Sequence, residues 1–284
     1  MENETTSKWY EWDSGQKCPY CGRAIFRRKM KPQYAFMGMC FESDIQCQCI
    51  TEKQALIKRR NIEKGLNIIR ASMIENAGLL KRWQSKTFEN FSVHSDQVDI
   101  YESCRQFAQN FLVNKHQTGL ILCGGIGCGK THLAAAIAHH VITNTPIDDI
   151  SAEKAGEQGH YKSTYSPVRF TSTIDLLSNI KSAYNKEGDC ESERAIVQKY
   201  QCAPLIILDD LGAEKPSEWT QERLFEIIDY RYSEEKPIII TTNRTPAEMK
   251  DSMGMRIFDR LKEMSVLIST DAPSQRKEPQ NISR

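Results

Sequence analysis

Long apolar runs are missing from this chain. Nowhere do eighteen apolar residues stand together, so no membrane-spanning helix is expected. The opening stretch MENETTSKWYEWDSGQK has no apolar core, which argues against a secretory signal. The expected compartment is therefore the cytoplasm, and the ten cysteines are read as thiols or metal ligands and not as disulfides. Histidine is scarce, and none of the six pairs with a cysteine at metal-ligand spacing. No internal repeat is visible. At 284 residues, with 39% hydrophobic, the chain suits one main domain and an appendage.

Net charge is also nearly absent, at +1, but it is unevenly spread. Residues 17–86 hold fifteen Lys and Arg against five Asp and Glu, a balance of +10, whereas residues 1–16 carry −3 and the remainder about −6. A basic front on a mildly acidic body points to a polyanion or an acidic partner for the front, or to a solvated lysine-rich helix.

The pattern along the chain changes in steps. Residues 1–16 are polar and read as loose. Residues 17–50 hold five of the cysteines, so 1–50 is read as a cysteine-rich N-terminal domain. Residues 51–86 read as a basic helical linker, with Leu56, Ile62, Leu66, Ile69, Met73 and Leu80 near helical spacing and Thr51 as its N-cap. From 87 to 284, short apolar runs alternate with helical patterns, which predicts an α/β domain built on a parallel sheet. Strands are expected at 119–123, 168–171, 205–209, 237–242 and 265–269. Helices are expected near 97–115, 130–143, 173–185, 191–201, 217–233, 246–250 and 255–263. The polar stretch 144–166 has no apolar period and is read as a mobile surface insertion.

The motif GGIGCGKT, Gly124 to Thr131, lies between the first of these strands and a helix. That context makes it a phosphate cradle. Gly124, Gly125, Gly127, Cys128 and Gly129 let backbone amides wrap a phosphate at a helix N-terminus. Lys130 adds a point charge, Thr131 a hydroxyl for Mg²⁺, and His132 follows in the helix. LIILDDLG ends a buried-type strand in two carboxylates. Asp209 is assigned to Mg²⁺ and Asp210 to the attacking water, with Glu214 as an alternative. Asn243 stands where PIIITTNR ends, at the C-terminal edge of a parallel sheet, and can hold that water. Arg256 and Arg260, four apart on one helical face, can reach a neighbouring subunit's γ-phosphate or form an ordinary surface pair.

Taken in order and spacing, GGIGCGKTHLAAAIA, LIILDDLGAEKPSEWTQERLFEIIDYRY, ITTNRTPAEM and GMRIFDRL resemble the AAA+ ATPases of the DnaC/DnaI-like helicase loaders and the related IstB transposition helpers. KRWQSKTFENF resembles the segment leading into that module, with Phe88 and Phe91 packing at its edge. The resemblance, over about 80–284, implies a P-loop sheet of order 5-1-4-3-2. It implies Lys130 and Thr131 as Walker A, Asp209 and Asp210 as Walker B, Asn243 as sensor 1, Arg260 as arginine finger supported by Arg256, and Arg276 as sensor 2. It implies ATP and Mg²⁺ as ligands and self-assembly on DNA. In this family the region after the second strand lines a channel for single-stranded DNA, which would place Lys181, Tyr184 and Lys186 there. Basic plus aromatic residues suit that role, and they equally suit a solvated helix end.

Cys18 and Cys21 form a C-x-x-C knuckle, and Cys47 and Cys49 a second pair, after 25 intervening residues. Two such pairs can hold one tetrahedral Zn²⁺ at about 2.3 Å per Zn–S bond, as in a zinc ribbon. Cys40 is a fifth candidate, and a redox C-x-x-C is the other reading. Cys123 and Cys128 are read as packing residues, and His139 and His140 as helix-end residues that favour the dipole. The resemblance implies an appendage that grips a DnaB-type replicative helicase and an ATPase that places it on single-stranded DNA. The alternatives are an IstB-like helper that recruits a transposase and a non-hydrolysing switch. The cysteine-rich front favours the loader, and the complete set of catalytic motifs disfavours the switch.

Overall fold

Trp9, Tyr10 and Trp12 are residues that fit a pleated, half-exposed surface, and they lie in a strand, β1 (Trp9–Lys17), not in loose chain as expected for 1–16. β1 pairs antiparallel with β2 (Ala24–Met30), and β2 pairs with β3 (Glu42–Ile45), giving a three-stranded sheet in the order β1-β2-β3. The structure, a computed structural model, describes residues 8–34, 42–45, 47–114, 116–162, 165–184, 192–270 and 272–274.

α1 (Gln48–Ala77) starts earlier than the expected linker helix, so Cys49 stands in its first turn and Thr51 lies inside it instead of capping it. The helix also stops earlier, before Gly78, and only α2 (Lys81–Gln84) continues the expected 51–86 span. Ile69, Met73 and Ala77 are buried, whereas Leu56 and Ile57 are exposed.

A 3-10 turn at Ser95–Gln97 leads into α3 (Val98–Phe111), then β4 (Gly119–Gly124) and α4 (Lys130–Asn144). The stretch read as an insertion contains α5 (Asp149–Gln158), capped by the Asp148 side chain on the Ser151 amide. Then come β5 (Val168–Ser172), α6 (Thr173–Tyr184), α7 (Glu193–Cys202), β6 (Leu205–Asp209), α8 (Glu218–Ser233), β7 (Ile238–Thr242), α9 (Pro246–Met253), α10 (Met255–Met264) and β8 (Ser265–Thr270). All five expected strands of the second region are present, each within a residue of its expected ends.

Two compact units emerge, and they do not follow the sequence boundaries. One joins the residues up to Leu66 with Asp148–His160, and the other joins Asn67–Ile147 with Tyr161 onward. In the first, α1 and α5 meet backbone to backbone. A Cβ added at Gly65 would lie 1.7 Å from the Ala152 carbonyl oxygen, and one at Gly156 would lie 1.9 Å from that of Asn61. Lys58 and Glu153 form an ion pair at 3.2 Å beside this contact. The face that holds α5 is thus made of small residues, Ala152, Ala155 and Gly156, which is why no apolar period marks it.

The second unit is a parallel sheet in the order β5-β6-β7-β4-β8, which is the expected 5-1-4-3-2 read from its other edge. β6 and β7 are buried at every residue, as strands covered on both faces must be. One layer of core comprises Ile206, Leu208, Ile238 and Ile240 with Leu176, Ile180, Leu224, Ile227 and Ile228. Arg231 of α8 is fully buried, and its guanidinium donates to the carbonyls of Tyr200, Gln201, Ala203, Pro204 and Pro237. Burial pulls its pKa down to about 9, so it remains a cation at neutral pH while tying α7 and the starts of β6 and β7 together. Among the described residues no helix is long and apolar enough to cross a membrane.

Candidate nucleotide site and thiol cluster

β4 delivers the glycine-rich loop at the C-terminal edge of the sheet, and α4 begins with Lys130. Gly127 and Gly129 have φ of +87° and +92°, values that a side chain would strain. A Cβ at Gly125 would meet nothing within 4 Å, so the loop opens onto free space there. Lys130 is only 5% exposed. Its Nζ donates to the carbonyls of Gly124 (2.9 Å) and Gly125 (2.8 Å) and to Asn243 Oδ1 (2.8 Å). Among the described ion pairs none involves Lys130. A buried cation held by neutral oxygens beside an open amide loop fits a phosphate group.

The loop is braced by residues that the motif does not contain. Gln97, fully buried, donates Nε2 to the Cys128 carbonyl at 2.6 Å. Phe91 lies against Gly129, where a Cβ would come within 2.6 Å of its ring, and stacks on Tyr101. Phe88 and Phe91 are both buried, as expected of the segment leading into the domain. His132 Nε2 stands 3.0 Å from both the Thr87 carbonyl and Asn90 Oδ1, which ties the start of α4 to that segment. Burial holds the His132, His139 and His140 rings below the usual histidine pKa. At neutral pH His139 and His140 are therefore neutral, and they are not the dipole-favouring cations expected.

The carboxylates form the other half of the site. Asp209 is 7% exposed. Burial pushes its pKa up, opposed by hydrogen bonds from the Thr241 and Thr131 hydroxyls, the former at 2.6 Å. The Thr131 hydroxyl and the Asp209 carboxylate are thus adjacent, an all-oxygen pair suited to Mg²⁺. Asp210 is exposed, with φ +54°, and its amide donates to Thr241 Oγ1 at 2.9 Å. Glu214 accepts from the Gly212 amide at 2.9 Å, which engages it within its own loop. Arg244, beside Asn243, donates to the Gly212 carbonyl. Cys123 and Cys128 are buried beside the loop, consistent with packing.

Sequence reasoning missed Gln97, Thr241, Thr242 and Arg244. The two threonines had a signal: they close an otherwise apolar, buried strand, and buried hydroxyls need partners. Thr242 finds the Leu211 carbonyl at 2.7 Å. Gln97 had none.

Arg256 is exposed on α10. Arg260 pairs with Asp229 of α8 at 3.1 Å and lies over the Tyr232 ring at 4.3 Å. Lys181 is exposed on α6, and Tyr184 is its last residue. Lys186 and Arg276 fall outside the described residues. Ser274, the last described residue, adjoins the loop: a Cβ at Gly127 would lie 2.1 Å from its hydroxyl.

In the first unit, Cys18, Cys21, Cys47 and Cys49 converge, their sulfurs all within 4.8 Å of one another. Sγ–Sγ separations are 3.3 Å for Cys18–Cys49 and Cys47–Cys49 and 3.4 Å for Cys21–Cys47. The knuckle closes through Gly22 N to the Cys18 carbonyl and Cys18 N to the Arg23 carbonyl. Burial raises the Cys18 thiol, but the Tyr20 and Cys21 amides and the Cys49 and Cys21 thiols outweigh it and bring it down to about 6. Hydrogen bonds with Cys18 and Cys47 push Cys49 up. Four convergent sulfurs are a donor set that could hold a tetrahedral metal ion. Cys40 lies outside the described residues.

Comparison with known proteins agrees with this geometry. The family described as IstB-like ATP binding protein matches residues 155–283, which takes in β5 to β8 but not the glycine loop. The replicative helicase loader DnaC of Buchnera aphidicola subsp. Baizongia pistaciae is 25% identical over 191 residues, 67% of this chain and 68% of that one. A crystal structure of the DnaC helicase loader superposes with a TM-score of 0.53 at 26% identity, covering 68% of this chain and all of that one. The crystal structure of DnaI, at 21% identity, gives a TM-score of 0.51 over 70% of this chain and 94% of that one. In its glycine loop, its acidic strand end and its sheet order the chain is similar to the DnaC helicase loaders, it shares the fold of DnaI, and over residues 155–283 it matches the IstB-like ATP-binding family.

Proposed function

We propose that this protein is an ATP-hydrolysing loader that places a DnaB-type replicative helicase on single-stranded DNA in the cytoplasm. The observation that carries the nucleotide half is the meeting of Lys130, Asn243, Thr131 and Asp209 at one edge of the sheet. The names of its relatives carry the helicase half. In this reading the loop amides and Lys130 hold the β- and γ-phosphates, and Asn243 and Asp210 orient the attacking water. Thr131 and Asp209 would hold Mg²⁺, which supplies charge neutralisation at the phosphates when bound. Arg276 would meet the phosphates from the segment after Ser274.

Arg260 completes the site of a neighbouring copy, supported by Arg256. Its present bond to Asp229 is half exposed and is worth only about 0–1 kcal/mol, so a phosphate can displace it at little cost. Cys18, Cys21, Cys47 and Cys49 hold one Zn²⁺ and give the small first unit the staple it lacks in apolar core. That unit docks the helicase. Lys181, Tyr184 and Lys186 meet the DNA strand.

Co-purification tests the reading. The full chain should retain the replicative helicase, and Lys130→Ala should remove ATP hydrolysis while keeping the helicase. A preparation that retains a transposase and no helicase would replace the loader with an IstB-like transposition helper, the reading favoured by the family match alone.

A further inference from the structure

The first unit also presents a surface that neither the nucleotide site nor the thiols use. In its sheet, Tyr10 stands opposite Lys29 and Trp12 opposite Arg27, and directly opposed residues share a face. Both rings remain open to solvent, Tyr10 at 55% and Trp12 at 37% exposure. Arg27 and Lys29 are exposed as well, and Lys31 Nζ lies 5.4 Å from the Tyr10 ring centroid. The reverse face of the same two strands carries Glu11 and Asp13 together with Trp9, Phe26 and Arg28, the Arg28 guanidinium 4.6 Å from the Trp9 ring, so around Tyr10 and Trp12 the first face holds rings and cations and no acid of β1 or β2.

Such a surface suits a protein or a nucleic acid, and its composition decides. Protein interfaces are enriched in aromatics and Arg but depleted in Lys. Here lysines flank the rings, as phosphate contact favours. Tyr10 and Trp12 are two residues apart on an edge strand, about 7 Å along it, so each ring can meet a separate unpaired base.

We propose that Tyr10, Trp12, Arg27, Lys29 and Lys31 form a binding surface for single-stranded nucleic acid, the rings stacking on bases and the cations meeting phosphates. This contact is separate from the strand site expected beside α6, and it needs no ATP. It gives the unit that docks the helicase its own hold on the strand to be loaded.

The test uses the full chain without nucleotide and a fluorescently labelled oligo-dT, read by anisotropy and by Trp fluorescence at several salt concentrations. Tyr10→Ala and Trp12→Ala should each weaken binding about tenfold. Lys29→Ala and Lys31→Ala should each make the salt dependence shallower by roughly 0.7 in log–log slope. Phe26→Ala, an exposed ring on the reverse face, should change nothing. Zinc content equal to the parent's shows that each variant is folded. The proposal is overturned if Tyr10→Ala and Trp12→Ala bind oligo-dT like the parent, or if duplex DNA binds as tightly as oligo-dT. Loss of helicase retention with oligo-dT binding intact would make the face a protein dock. Failure of the loader reading leaves the oligo-dT result standing, because that assay contains no helicase.

Discussion

Lys130 and Asn243 lie 113 positions apart and meet at 2.8 Å, which turns two separate motifs into one site. Asp210 matters in the same way, because its φ of +54° aims a carboxylate outward from the buried end of β6. Asn tolerates that conformation, so Asp210→Asn should fold normally and bind ATP unchanged while hydrolysis falls on the order of 10²-fold. Turnover equal to the parent in a coupled ATPase assay would remove Asp210 from the chemistry and return attention to Glu214. Arg231 acts on stability alone. Arg231→Leu leaves five carbonyls without their donor, those of Ala203 and Pro237 in buried contacts, and it should cost about 3 kcal/mol or more, a fall of roughly 6–12 °C in Tm by thermal unfolding.

At the scale of elements, α5 shows two effects in competition. Gly156→Ala improves helix propensity by about 1 kcal/mol. It also drives a methyl group to 1.9 Å from the Asn61 carbonyl oxygen, and a backbone atom cannot swing aside. Overpacking of this kind costs about 1–3 kcal/mol, so the clash should win. Limited proteolysis should then cut within 148–160 faster than in the parent, and an unchanged rate would mean that α1 and α5 separate readily. The helices of the second unit were easier to anticipate. The strands β4, β6 and β7 between them each carry a continuous run drawn from Ile and Leu.

At the scale of the whole molecule, the arginine finger is the main commitment. Arg260 has its partners on α8 of its own chain, and the proposed finger role would have it act on the site of a second copy. Arg260→Ala should abolish hydrolysis that rises with protein concentration and leave ATP affinity near that of the parent. Hydrolysis by Arg260→Ala that still rises with concentration would assign the finger elsewhere. The two units also predict that the thiol cluster and the parallel sheet respond separately to a chelator.

By itself the sequence determined the parallel sheet, its strands nearly to the residue, the phosphate loop and the two cysteine pairs. Each of these is written locally: a run of buried residues, a turn that only glycine permits, or a ligand spacing. The tertiary structure alone decided the rest. Trp9, Tyr10 and Trp12 became a strand only by pairing with β2. Gln97, Thr241 and Arg244 joined the site only because distant elements bring a buried carbonyl or carboxylate to them. The stretch 144–166 looked structureless because its helix is held by glycine and alanine at backbone contact, which leaves no hydrophobic period to read.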